Sequence, residues 1–101
     1  MEARKIIITG GATRIGAAIA EKLSGPNIEI TIHFNRSKSK AENLKKNLQK
    51  LGTKVYLIRA DLSKEKDIYK IIKFSKSKMK FFDCLINNAS LFENDKLENF
   101  S

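Results

Sequence analysis

Four short apolar runs separated by three helix-length amphipathic segments predict an α/β fold, with a parallel sheet covered by helices on both faces. The second observation is a glycine-rich turn, Thr9–Arg14, between the first apolar run and the first helix. Right-handed crossovers then give the strand order 3-2-1-4. The series breaks off soon after the fourth run, so residues 1–101 read as the amino-terminal portion of an incomplete doubly wound sheet.

The first strand is expected over Lys5–Ile8 and the first helix over Ile15–Leu23, where Ile15, Ile19 and Leu23 recur along one face. Ser24, Gly25 and Pro26 end that helix. The second strand is Glu29–Phe34, with Ile30, Ile32 and Phe34 toward one layer and Thr31 and His33 toward the other. The second helix spans about Lys40–Leu51. Ser39 is its expected N-cap, Glu42 completes a capping box, and Leu44, Leu48 and Leu51 form its apolar stripe. Gly52 terminates it. The third strand is Lys54–Ile58. Ser63 is expected to cap a third helix, about Lys64–Phe74, with Ile68, Ile71 and Ile72 buried. Ser75–Lys80 reads as a polar, basic connector, Phe82–Ile86 as the fourth strand and Asn87–Phe92 as a loop at its carboxyl end. Within the stretch 93–101, Leu97–Ser101 resembles the start of a helix that is cut off.

The 101 residues suffice for one small domain, and a hydrophobic content of 42% argues against wholesale disorder. No apolar run approaches bilayer length, and the first residues lack the pattern of a secretory signal. Cys84, inside FFDCLI, has no internal disulfide partner. It is expected as a buried strand residue in a cytoplasmic protein. A single histidine and a single cysteine argue against a His/Cys metal site. The net charge of +9 favours polyanions, yet the lysines scatter over several elements without interleaved aromatic residues. The charge permits nucleic-acid binding; the motifs do not encourage it.

In a 3-2-1-4 sheet the switch point lies between strands one and four. Ligands bind over their carboxyl ends, where Thr9–Gly16 and Asn87–Phe92 meet. Gly10 and Gly16 remove side chains that would hold a phosphate away from main-chain amides at the helix N-terminus. After strand two the chain has Phe34 and Asn35 where a carboxylate would accept the ribose hydroxyls of NAD. Arg36 and Ser37 follow, a cation and a hydroxyl suited to a ribose 2′-phosphate, with Lys38 and Lys40 adding field. NADP(H) is therefore expected over NAD(H). His33, in mid-strand, is expected to be packed or hydrogen-bonded rather than catalytic.

TGGATRIG at 9–16, HFNRS at 33–37, ADL at 60–62 and NNAS at 87–90, each after a strand, resemble the short-chain dehydrogenase/reductase family. The resemblance spans the chain but only the amino-terminal half of a typical member, and it implies a Rossmann-type fold. Arg14, Asn35-Arg36-Ser37 and Asn88-Ala89-Ser90-Leu91-Phe92 look most like the pteridine reductase and dihydromonapterin reductase branch. That likeness implies an NADPH-dependent reductase acting on a dihydropterin or dihydrofolate, and a homo-oligomer for the complete protein. It places Thr9, Gly10, Arg14, Ile15 and Gly16 around the cofactor phosphates and nicotinamide, and Arg36 and Ser37 at the 2′-phosphate. Asp61 and Leu62 fall at the adenine, and Asn88, Ala89 and Ser90 beside the ribose and nicotinamide. Arg14, Ser90 and Phe92 face the pterin. As ordinary protein residues, Arg14 and Arg36 are solvated surface groups, Asp61 is a loop cap and Phe92 is a lid or core residue.

The family supplies its proton donor from a tyrosine four positions before a lysine, in a later helix. Tyr69 and Lys73 have that spacing, but they belong to the third helix and are read as an exposed tyrosine and a surface lysine. No catalytic residue is assigned within residues 1–101, which are expected to be inactive alone. The alternatives are a non-catalytic remnant or interaction module that keeps part of a nucleotide-binding sheet, and a basic nucleic-acid-binding protein.

Overall fold

The computed structural model describes residues 4–88. Its elements alternate in chain order: β1 (Arg4–Thr9), α1 (Arg14–Leu23), β2 (Ile28–Phe34), α2 (Lys38–Lys50), β3 (Lys54–Arg59), α3 (Glu65–Met79) and β4 (Cys84–Asn87). The strands form one parallel sheet in the order β3-β2-β1-β4. The register pairs Ile8 with both Ile32 and Ile86, and Ile32 with Leu57. The expected incomplete doubly wound sheet is therefore present, with its carboxyl ends aligned.

Alternation along the strands feeds two cores. Ile6, Ile8, Ile30 and Ile32 pack with Ala20 of α1 and with Leu44 and Leu48 of α2. On the opposite face Ile7 and Ala60 pack with Ile71 and Met79 of α3. Phe34, Ala12 and Ala41 form a smaller cluster near the carboxyl ends. The termination of α2 follows expectation. Gly52 adopts φ 93°, and the amides of Thr53 and Gly52 donate to the carbonyls of Leu48 and Gln49, which satisfies the last turn.

Several local expectations are corrected. The buried face of α1 is Gly16 and Ala20; Ile15 and Leu23 are exposed and Ile19 is half-buried. Small residues bring α1 onto the turn and sheet, and that approach decides which side faces inward. Helix α2 starts at Lys38, because the Ala41 amide already donates to the Ser37 carbonyl. Ser39 therefore lies inside the first turn, Ser37 is the N-cap, and Leu51 is exposed. Ser63 does not cap α3, since its amide and hydroxyl both donate to Asp61 Oδ1. Lys64 takes the cap position without a side-chain bond.

The expected connector at Ser75–Lys80 is mostly helix. Ile71, Ser75 and Met79 recur at i, i+4 and i+8 and are all buried, whereas Ile68 is exposed. Strand β4 begins two residues later than expected. Cys84 is exposed rather than buried, because β4 is the edge strand of the described sheet and shares a residue pair only with β1. No helix among the described residues is long and apolar enough to cross a membrane.

Candidate functional site

The carboxyl ends of all four strands meet in one region. Thr9 closes β1 opposite Asn87 of β4, and its hydroxyl lies 3.1 Å from Asn87 Oδ1 and 3.3 Å from the Ile86 carbonyl. The chain then turns through Gly10 at φ 66°, a backbone state that favours glycine. The Gly10 carbonyl accepts from the Thr13 amide, the Thr13 hydroxyl and Asn88 Nδ2. Thr13 is the N-cap of α1, and its hydroxyl accepts from the Gly16 amide at 3.1 Å.

Gly16 has a second role beyond leaving room for a ligand. A Cβ there would overlap the Gly10 carbonyl oxygen and come within 2.7 Å of Gly11 Cα. The helix is thus seated directly on its own preceding turn. The amides of Arg14 and Ile15 begin α1 without a hydrogen-bond acceptor among the described residues, and both side chains are exposed. Free amides and the positive end of the helix dipole favour an anion at this point.

His33 was expected to be packed or hydrogen-bonded, and it is: only 3% exposed, with bonds from both ring nitrogens. Its Nδ1 accepts from the Gly10 amide at 2.9 Å, and its Nε2 lies 2.8 Å from the Ala60 carbonyl. Its backbone carbonyl accepts from the Gly11 amide at 3.0 Å. Sequence reasoning did not place His33 in the turn. The available signal was a polar ring in the middle of an apolar strand, which must find partners when buried.

Arg36 and Ser37 lie exposed beyond the end of β2. Asp61 follows β3, and the positive charge of Arg36 acts on it. The Asp61 carboxyl is held below its ordinary value chiefly by the Ser63 hydroxyl, then by the Ser63 amide, with Lys64 and Arg36 adding and desolvation opposing. Both Ser63 donors use Oδ1, so Oδ2 is the oxygen left for another donor. Leu62 is half-buried and lines a cleft between α3 and β4 with Ile68, Ile72, Leu85 and Asn87.

Asn88 is 2% exposed and ties the end of β4 to the turn through Nδ2, which bonds Gly10 O and Thr13 Oγ1 at 3.0 Å each. Its Oδ1 is buried with no partner among the described residues. Such an orphaned acceptor is expensive unless something donates to it. Ala89, Ser90 and Phe92 lie outside the described residues. The structure thus gathers Thr9, Gly10, Arg14, Ile15, Gly16, Arg36, Ser37, Asp61, Leu62 and Asn88 along one end of the sheet.

Comparison with known proteins follows the same lines. The sequence matches the family described as short chain dehydrogenase over residues 4–101. A short-chain dehydrogenase/reductase homologue of Bacillus subtilis, YusS, is 34% identical over 84% of this chain and 78% of its own length. A short-chain dehydrogenase from Oenococcus oeni is 30% identical with a TM-score of 0.78, covering 85% of this chain and 40% of that one. A dehydrogenase from Burkholderia cenocepacia, solved with NADP bound, is 26% identical with a TM-score of 0.80 over 85% of this chain and 34% of its own. The chain therefore spans well under half the length of these solved relatives.

Proposed function

The chain belongs to the short-chain dehydrogenase family, and from that premise we propose that it forms the nucleotide half of an NADP(H)-dependent reductase whose substrate is a pterin such as dihydropterin or dihydrofolate. The observation that carries the cofactor assignment is the pairing of Arg36 and Ser37 at the end of β2 with the absence of a carboxylate there. Both residues are exposed, so their donors are open to a ribose 2′-phosphate.

NADP(H) fits the residues present. The amides of Arg14 and Ile15 are open to the pyrophosphate, and Gly16 keeps α1 tight against the turn. Asp61 would hold the adenine amino group, with Oδ2 the oxygen not used by Ser63, and Leu62 would pack near the ring. Asn88 Oδ1 is a buried acceptor without a donor among the described residues. The nicotinamide supplies hydride when bound. Arg14, Ser90 and Phe92 are assigned to the pterin by resemblance to the pteridine reductases. The complete protein is proposed as a cytoplasmic homo-oligomer.

Calorimetry on residues 1–101 should show tighter binding of NADPH than of NADH. Arg36→Ala should weaken NADPH about tenfold and leave NADH nearly unchanged, the scale of one lost charge-assisted contact. An unchanged preference in the variant removes Arg36 from the assignment.

A second reading is a non-catalytic module that retains the nucleotide-binding sheet. It is favoured by one comparison: the Bacillus homologue is itself covered over 78% of its length. NADPH binding without turnover by the protein as it occurs in the cell supports that reading. A reading frame that continues to a Tyr-x-x-x-Lys helix supports the reductase.

A further inference from the structure

We infer that His33 is a positioning residue of the dinucleotide cradle, holding the Gly10 turn through one neutral tautomer of its ring. This rests on the reading of the turn as a phosphate site. The tautomer follows from its two neighbours. The Ala60 carbonyl only accepts, so Nε2 must carry the hydrogen. The Gly10 amide only donates, so Nδ1 must present its lone pair.

Both glycine amides of the turn end on this one residue, Gly10 on the ring and Gly11 on the carbonyl. Neither amide then faces a phosphate, and the amides of Arg14 and Ile15, at the exposed start of α1, are donors without an acceptor among the described residues. Their direction depends on where the turn places the start of α1. The Gly10 amide is buried at the end of β1, out of reach of water, and needs an acceptor inside the protein. His33 is that acceptor. The same ring reaches the residue before Asp61, so it couples the phosphate turn after β1 to the adenine side after β3 across β2.

A histidine that merely fills the core would act through stability alone, and two substitutions separate the cases. In His33→Asn the amide oxygen can occupy the Nδ1 position and keep the Gly10 bond while the Ala60 bond is lost. In His33→Gln the longer side chain keeps the Ala60 bond and loses Gly10. Each variant gives up one bond of the pair, so both should lower the thermal midpoint to a similar degree. Amide exchange by nuclear magnetic resonance on the 101-residue chain should show Gly10 protected as in the parent in His33→Asn, and about tenfold less protected in His33→Gln. NADPH affinity should follow the same division, within about threefold for Asn and weaker by about tenfold for Gln.

Ring nitrogen shifts of the parent chain should report a bare Nδ1 and a protonated Nε2. Equal Gly10 exchange in the two variants, affinities that track only the thermal midpoint, or the opposite tautomer would overturn the inference. If the parent binds neither NADPH nor NADH, residues 1–101 do not hold the cofactor by themselves, while the exchange and tautomer measurements still decide the part played by His33.

Discussion

At the residue scale the site is held together by atoms that the sequence motif hides. Gly16 in TGGATRIG reads as room for a phosphate, but its nearest neighbours are the Gly10 carbonyl and Gly11 Cα. Contact with backbone cannot be relieved by rotating a side chain, so Gly16→Ala must push α1 away from the turn. We expect it to lower stability by about 1–3 kcal/mol, the usual range for overpacking, measured by urea denaturation. NADPH binding should weaken with it, since the amides of Arg14 and Ile15 move with the helix. An alanine variant of unchanged stability would show that the turn and helix are not in the contact described. The motif made Gly16 legible as a special position. Its reason lies in how the turn folds back on the first turn of α1, and the bond between His33 and Gly10 depends on a fold that brings residues 23 positions apart into hydrogen-bond distance.

At the element scale, strand order and helix number were legible because apolar alternation and helical periodicity are local signals. Helix faces and ends were less so. In α1 the isoleucines look like the buried stripe, yet Gly16 and Ala20 face inward because only small residues permit so close an approach. In α3 the run of serines and lysines after Phe74 looks like a connector, yet Ser75 and Met79 continue the inner stripe of Ile71 while the lysines stay in solvent. That helix ends at Lys80, where φ is 73° and ψ is −40°, and the amide donates to the Lys76 carbonyl at 2.7 Å. A residue with a Cβ is strained at this backbone angle, and glycine is not. Lys80→Gly should therefore raise stability by about 0.5–1 kcal/mol, visible as a higher thermal midpoint, without altering nucleotide affinity. A fall in the midpoint would mean that Lys80 contributes contacts that outweigh the strain.

At the scale of the whole molecule, the parts assigned to a nucleotide lie at one end of the sheet, and the two tyrosines lie elsewhere. Tyr56 donates its hydroxyl to Glu29, near the start of β2. Tyr69 is 64% exposed on α3, and Lys73 is exposed one turn further along. Hydride transfer to a pterin needs a proton donor held within hydrogen-bond reach of the acceptor. A phenol on the solvent side of an outer helix is not held against the strand ends, so spacing alone does not make this pair catalytic. Purified residues 1–101 should therefore bind NADPH without oxidising it in the presence of dihydrobiopterin or dihydrofolate, and Tyr69→Phe should leave both results unchanged. The assay is loss of nicotinamide absorbance with time. Turnover that disappears in Tyr69→Phe would mean that α3 supplies the donor after all, and that the exposed position of this side chain is not the one used in the reaction.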